Sequence, residues 1–107
     1  MQHLTAIELA ARINDPARPT PMLLDVREPW EFETCRIEGA VLIPMRTIPA
    51  RLAELDEESP IICICHHGAR SRQVAHFLEQ HGFSDVTNLT GGIDAWARHV
   101  DTTMPVY

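Results

Sequence analysis

The segment that most constrains the fold of this chain is a short run in which every side chain is apolar. Residues 61–65 read Ile-Ile-Cys-Ile-Cys, and the loop His-His-Gly-Ala-Arg of residues 66–70 follows them directly. A strand with one exposed face alternates apolar and polar residues, whereas a continuously apolar run is typical of a strand covered on both faces. We therefore expect this strand to lie in the centre of a sheet.

Other short apolar runs alternate with helical patterns along the chain. Further strands are predicted at residues 22–26, 39–44 and 85–89, and helices after the capping box at Thr5, after Pro29, around Leu52, from Ser71 and from Ile93. Such alternation predicts a three-layer α/β/α fold, in which a mainly parallel sheet of four or five short strands carries helices on both faces. We expect one domain over residues 1–107, with Trp30 and Trp96 in its core.

The charged residues exclude several classes of function. Fifteen acidic and nine basic residues give a net charge of −6, and every basic residue is arginine. The absence of lysine excludes a P-loop lysine, a Schiff base and a lysine general base. Binding to nucleic acid or to an anionic membrane needs clustered positive charge, so we expect neither partner.

The cysteines and the first residues indicate a compartment. Three cysteines are too few, and odd in number, for the disulfide framework of a small secreted domain. The N-terminal residues lack the pattern of a signal peptide, and no apolar run approaches the ~20 residues of a membrane span. We therefore expect free thiols in a cytoplasmic protein.

Cys65 is the candidate nucleophile. It ends the predicted central strand and precedes a tight loop that leads into a helix, and ligands of open α/β sheets bind beyond the carboxyl ends of strands. Backbone N–H groups and the positive end of the helix dipole favour a thiolate at such a place. Residues 59–78 contain no acid but two arginines and three histidines. Cys63, in mid-strand, is expected to be an ordinary buried residue.

Four segments of the chain resemble one known family. Residues 65–71, Cys-His-His-Gly-Ala-Arg-Ser, resemble the active-site loop of the rhodanese-like family of single-domain sulfurtransferases. Residues 24–28 (Leu-Asp-Val-Arg-Glu), 36–40 (Arg-Ile-Glu-Gly-Ala) and 91–96 (Gly-Gly-Ile-Asp-Ala-Trp) resemble further motifs of that family in the same order. The resemblance covers nearly the whole chain and implies the rhodanese-like fold.

The resemblance implies a thiosulfate sulfurtransferase-like enzyme. Cys65 would take a sulfane sulfur from a donor such as thiosulfate, carry it as a covalent persulfide and pass it to cyanide or a thiol. No other cofactor is implied. The acceptor could also be another protein, a possibility that the sequence leaves open. We expect the protein to be a monomer. The residues implied to bind the substrate are His66, His67, Gly68, Ala69, Arg70 and Ser71, and those implied to support them are Asp25, Arg27 and Arg36.

Two other functions stay open. One is a partner-dependent sulfur carrier or non-catalytic interaction module, and the other is a relative of the cysteine phosphatases and arsenate reductases. Four residues separate Cys65 from Arg70, whereas those phosphatases use a loop that is one residue longer. The shorter loop favours sulfur over phosphate.

The remaining polar candidates have simpler interpretations. Asp25 and Arg27 are expected to pair and to brace the strand end rather than act on substrate. Cysteines 63 and 65 with histidines 66 and 67 lack a second ligand pair, so no metal site is expected. Cys35 is interpreted either as a surface residue without a role, which we favour, or as a thiol close enough to form a disulfide with Cys65.

Overall fold

A parallel sheet forms the middle layer of the molecule. The computed structural model describes residues 1–107, and its strands are β1 (Gln2–Leu4), β2 (Met22–Asp25), β3 (Val41–Leu42), β4 (Ile61–Ile64) and β5 (Val86–Leu89). The five strands lie in the order β1-β5-β4-β2-β3, and all neighbours pair in parallel. The all-apolar strand β4 is therefore central, as predicted, and each of its residues is buried.

The chain has four α-helices, of which the first three connect strands and the last follows β5: α1 (Ala6–Ile13), α2 (Pro29–Thr34), α3 (Ala69–Gln80) and α4 (Gly92–His99). The predicted capping box at Thr5 is confirmed, because its side chain accepts from the Glu8 N–H while the Glu8 carboxylate accepts from the Thr5 N–H. Around Leu52 the chain forms two short 3₁₀ helices, Met45–Thr47 and Pro49–Glu54, instead of an α-helix. No helix is long and apolar enough to cross a bilayer.

Each face of the sheet has its own apolar core, because successive strand residues point to opposite faces. One core packs Leu24 and Cys63 against α3, and the other packs Leu23 and Ile62 against α1 and α4. The predicted three-layer arrangement is thus confirmed.

Two single elements differ from the sequence analysis. The edge strand β1 has no counterpart among the predicted strands, because three residues, of which only Leu4 is partly buried, are too few to show a periodicity; it is held by parallel pairing with β5. Trp30 is 60% exposed rather than buried, since it lies on the outer side of α2 with its ring edge-on to Tyr107. Trp96 lies in the core as predicted.

Candidate active site

Cys65 lies where the central strand ends and α3 is about to begin. It follows β4 directly, is only 1% exposed, and precedes the N-terminus of the twelve-residue helix α3 by a short loop. The Gly68 N–H donates to Cys65 Sγ at 3.0 Å, and Ser71 Oγ lies 3.2 Å from the same sulfur. The sulfur therefore has one backbone donor and one hydroxyl within hydrogen-bonding distance.

The Ser71 hydroxyl has a second partner that the sequence did not indicate. Asn88 Oδ1 lies 2.6 Å from Ser71 Oγ, and Asn88 Nδ2 donates to the Gly68 carbonyl at 3.3 Å. A hydroxyl has one proton, so Ser71 donates either to Asn88 or to the sulfur. The only signal in the sequence was that Asn88, with Thr87, is a polar residue in the short strand β5.

Glycines shape the loop. Gly68 has φ +107°, and a Cβ on it would lie 3.3 Å from the Gly91 nitrogen and from the Leu89 carbonyl. The start of α4 also holds the loop, because the Ile93 N–H donates to the Cys65 carbonyl at 2.8 Å and the Asp94 N–H to the His66 carbonyl at 3.0 Å. The loop is thus fixed by backbone contacts from the far end of the chain.

Arg70 is turned toward Glu31 of α2. Its two terminal nitrogens donate to Glu31 Oε1 at 2.7 Å and to Oε2 at 2.8 Å. The Glu31 side chain is 4% exposed and that of Arg70 36%. Hydrogen bonds from Arg70 lower the pKa of Glu31 to about 2, so this carboxylate is ionised at neutral pH. The charge of Arg70 is therefore balanced by a buried carboxylate.

Asp25 and Arg27 form the predicted ion pair at the end of β2. Arg27 Nη2 donates to Asp25 Oδ2 at 2.7 Å and to the Cys35 carbonyl at 2.6 Å, and both side chains are fully buried. Arg27 Nη1 donates to Tyr107 Oη at 2.8 Å, and that hydroxyl donates to Glu31 Oε2 at 2.7 Å. Tyr107, which the sequence did not single out, thus connects the Asp25–Arg27 ion pair to the Glu31–Arg70 ion pair.

The two loop histidines stack on each other. The His66 ring lies parallel to that of Tyr107 and tilted against that of His67, with centroids 4.0 Å apart in both cases. Its Nε2 atom is buried without a hydrogen-bond partner, and burial lowers the pKa of His66. His67 is exposed, with Nε2 3.9 Å from Asp94 Oδ2. The His66 ring is therefore packed between the rings of Tyr107 and His67, whereas His67 itself is exposed to solvent.

The match to a family model decides the classification. The model for the rhodanese-like domain matches residues 5–99, which include all four predicted motifs. The chain belongs to the rhodanese-like domain family. Tyr107 lies outside the matched residues of this rhodanese-like domain.

Relatives of this rhodanese-like domain include sulfurtransferases. A sulfurtransferase of Allochromatium vinosum is 42% identical over 78 residues, which are 73% of each chain. The thiosulfate sulfurtransferase GlpE of Tolumonas auensis is 33% identical over 82 residues, which are 77% of this chain and 76% of that one. The crystal structure of a rhodanese-like domain protein from Staphylococcus aureus has a TM-score of 0.84 and 31% identity, and covers 100% of this chain and 99% of its own.

No hydrogen bond joins the other predicted residues of the rhodanese-like domain to Cys65 Sγ. Arg36 stacks on the Phe32 ring, 4.6 Å from its centroid, and forms no hydrogen bond with the loop. Ala69 is the first residue of α3. His66, His67 and Asp94 offer possible metal-ligand atoms within 4.8 Å of one another. Asp94 already accepts from Arg98 at 3.0 Å, and the absence of a resident metal stays a prediction.

The other two cysteines are buried and free. Cys35 is not a surface residue, because it lies in the core between the sheet and helices α1 and α4, whereas Cys65 belongs to the core on the α3 face. The sheet therefore separates them, which argues against a disulfide. Burial raises the pKa of Cys63 to about 12, in keeping with its predicted role as an ordinary core residue.

Proposed function

We propose that this rhodanese-like domain is a sulfurtransferase that carries a sulfane sulfur as a persulfide on Cys65. A donor such as thiosulfate supplies the sulfur, and a thiophilic acceptor, cyanide or a thiol, removes it. The observation that carries the proposal is the environment of Cys65 Sγ, which has the Gly68 N–H and the Ser71 hydroxyl as donors at the N-terminus of α3. The Gly68 N–H is a fixed dipole that stabilises negative charge on sulfur without having to reorient during the reaction, whereas the Ser71 hydroxyl also lies within reach of Asn88.

In the first half-reaction the Cys65 thiolate attacks the outer sulfur of the donor. A new S–S bond forms to Cys65 while the S–S bond of thiosulfate breaks, and sulfite leaves with the bonding electron pair. The product is a Cys65 persulfide anion, so total charge is conserved. The loop N–H groups and the helix dipole favour this anion as they favour the thiolate.

In the second half-reaction the acceptor attacks the terminal sulfur of the persulfide. With cyanide, a carbon–sulfur bond forms, the S–S bond breaks and thiocyanate leaves, which returns Cys65 to the thiolate. Negative charge moves back to Sγ at this step. The Ser71 hydroxyl can then turn its proton from Asn88 to the sulfur, because both acceptors lie within reach of it.

The position of Arg70 supports sulfur rather than phosphate chemistry. An arginine that serves a phosphate site grips two phosphate oxygens with its planar fork. Here the fork of Arg70 already grips both oxygens of Glu31 at 2.7 and 2.8 Å. A phosphate would have to displace a buried carboxylate, which is costly because that carboxylate would lose its partner.

Intact mass measurement tests the proposal. The reduced protein is incubated separately with thiosulfate and with the thiosulfonate anion methanethiosulfonate, and the mass is read without further reduction. We expect a gain of one sulfur atom in the wild type and in Cys35→Ala, and no such gain in Cys65→Ser. A wild type that gains sulfur from neither donor, or a Cys65→Ser variant that gains it equally, would refute the proposal.

A further inference from the structure

The charges around Cys65 are balanced in pairs. Arg70, the only arginine of the loop, is held by both oxygens of Glu31. Arg98 donates to Asp94 at 3.0 Å on α4, which packs on the loop. Each of these cations near the loop therefore has its own carboxylate, and together the pairs contribute no net positive charge.

Three other basic side chains, those of His66, His67 and Arg72, belong to the loop or to the first turn of α3. Burial lowers the pKa of His66, which favours its neutral imidazole, and His67 Nε2 lies 3.9 Å from the Asp94 carboxylate. Arg72 has no carboxylate partner, and its side chain lines a hollow with His3, Ala69 and His76 rather than the Glu31 side of the loop. Residues two apart on a helix differ by about 200° around its axis, so Arg72 points away from the side on which Arg70 meets Glu31.

This balance bears on which donor can approach a thiolate. Thiosulfate carries two negative charges and Cys65 a third, while the donors to Sγ are neutral dipoles and the two ion pairs beside the loop carry no net positive charge. Coulombic repulsion rises in proportion to the charge of the donor. We propose, on the basis of the sulfurtransferase function proposed above, that Glu31 is a specificity-determining residue, which neutralises Arg70 and so favours singly charged sulfane-sulfur donors over dianionic thiosulfate.

The favoured class comprises organic thiosulfonates and hydropersulfides. With a thiosulfonate anion, the Cys65 thiolate attacks the outer sulfur, an S–S bond to Cys65 forms, the sulfur–sulfur bond of the donor breaks, and a sulfinate leaves with the electron pair. Two negative charges enter the step and two leave it. Methanethiosulfonate is therefore a matched probe for thiosulfate, because the reacting sulfurs are alike and the charge differs by one.

The variant Glu31→Gln tests the role of the carboxylate. Glutamine keeps the shape of the side chain and removes its charge, which leaves Arg70 uncompensated beside the loop. Since the Coulombic effect scales with donor charge, a threefold gain in kcat/KM for methanethiosulfonate should accompany about a ninefold gain for thiosulfate. Raising the ionic strength should reduce both gains, because exposed charges are screened by salt.

Two further variants serve as controls. Glu54→Gln removes the same charge from an exposed ion pair with Arg51, so the ratio of the two kcat/KM values should stay within about twofold of the wild type. Glu31→Asp keeps the charge and should keep the wild-type ratio even if the shorter side chain lowers both rates. The ratio of kcat/KM for thiosulfate to kcat/KM for methanethiosulfonate, measured at one pH and salt concentration, responds to the charge of the site. General damage to the site lowers both values and leaves their ratio unchanged.

The outcome that would overturn the proposal is a Glu31→Gln variant in which both donors change by the same factor, or in which thiosulfate loses more than methanethiosulfonate. If that variant does not fold, the salt dependence of the wild-type kcat/KM for thiosulfate decides. An ionic-strength series in which wild-type kcat/KM for thiosulfate falls steeply with salt shows attraction to net positive charge and contradicts the proposal. A Cys65 persulfide seen by mass with either donor keeps the proposed function intact in all of these cases.

Discussion

The backbone of Gly92 lies against the carbonyl oxygen of Cys65. A Cβ atom on Gly92 would be 2.4 Å from that oxygen and equally close to the His66 carbonyl, and Gly92 has φ +61°. The glycine thus allows the first turn of α4 to donate its N–H groups to the carbonyls of the loop. A contact between residues far apart in sequence therefore holds the peptide that carries the proposed nucleophile.

Replacing Gly92 by alanine should displace the loop. The left-handed backbone and the clash with two carbonyls together cost about 2–4 kcal/mol, and persulfide formation should slow because the donors move away from Sγ. Urea unfolding and the rate of sulfur gain by mass measure the two effects.

Gly39→Ala is the matched control, because Gly39 has φ +85° but open space around its Cβ position. It should cost about 1–2 kcal/mol from the backbone alone and leave the rate unchanged. Equal effects of the two variants would contradict the packing argument.

The Ser71 hydroxyl should assist the chemistry at Cys65. Ser71→Ala removes one of the two donors to Sγ, and we expect the rate of persulfide formation to fall by about tenfold. This effect is smaller than that of losing a dedicated oxyanion-hole donor, because Asn88 competes with Sγ for the same proton. Stopped reactions analysed by mass give the rate. Ser59→Ala, which removes an exposed hydroxyl bonded to Asp56, is the control and should react at the wild-type rate. A Ser71→Ala variant as fast as Ser59→Ala would show that the hydroxyl serves Asn88 alone.

Much of the fold follows from short segments of sequence. The capping box at Thr5, the all-apolar run of β4 and the glycine at the start of α3 each act within a few residues, so local physics decides them. The position of Cys65 at the end of the central strand follows from the same run. The rule that parallel sheets bind ligands at their carboxyl ends then predicts where the candidate site lies.

The pairings within the site could not be predicted in the same way. Glu31 and Arg70 lie 39 residues apart, and Tyr107 lies 76 residues from Glu31. Local patterns carry no information on such distances. The resemblance implied that Arg70 binds the substrate, and only the tertiary structure shows that a carboxylate from α2 balances its charge. Trp30 was misassigned for a related reason, because α2 is too short to show which of its sides is buried.

The ionisation of Glu31 should make the free energy of unfolding depend on pH in the acidic range. Its pKa is lowered from 4.5 to about 2 in the folded protein, chiefly by hydrogen bonds from Arg70. A group whose folded pKa is depressed adds stability above its unfolded pKa and loses it as pH falls through the folded value. The stability difference between wild type and Glu31→Gln should therefore be present at neutral pH and shrink between about pH 4.5 and 2. Urea midpoints at several pH values measure it, with Glu54→Gln as the control. A difference that is constant down to pH 2.5 would contradict this reading of Glu31.

Removing the Tyr107 hydroxyl should weaken the network without disturbing the stacked rings. Tyr107→Phe removes one of the two hydrogen-bond partners of Arg27 Nη1, which keeps the Glu31 carbonyl at 3.2 Å, and it takes a donor from the Glu31 carboxylate. The loss should cost about 1–3 kcal/mol. The ring remains to stack on His66. Tyr107→Ala should cost more, because the stacking and the buried ring area are lost as well. Chemical denaturation of both variants measures the order, and equal losses would show that the hydroxyl contributes nothing beyond the ring.

Alkylation should distinguish the two cysteines of the β4 segment. Burial raises the pKa of Cys63 to about 12, so its thiolate is scarce at any moderate pH and only the thiolate reacts with iodoacetamide. Cys65 has the Gly68 N–H and the Ser71 hydroxyl as donors to its sulfur, which assist the anionic form. In the native protein at pH 7.5 to 8 we expect peptide mapping to find the first label on Cys65, and Cys65→Ser to remain unlabelled over the same time.

Labelling in urea, where all thiols are exposed, is the control for intrinsic reactivity. Equal labelling of Cys63 and Cys65 in the native state would show that the loop gives Cys65 no advantage as a nucleophile.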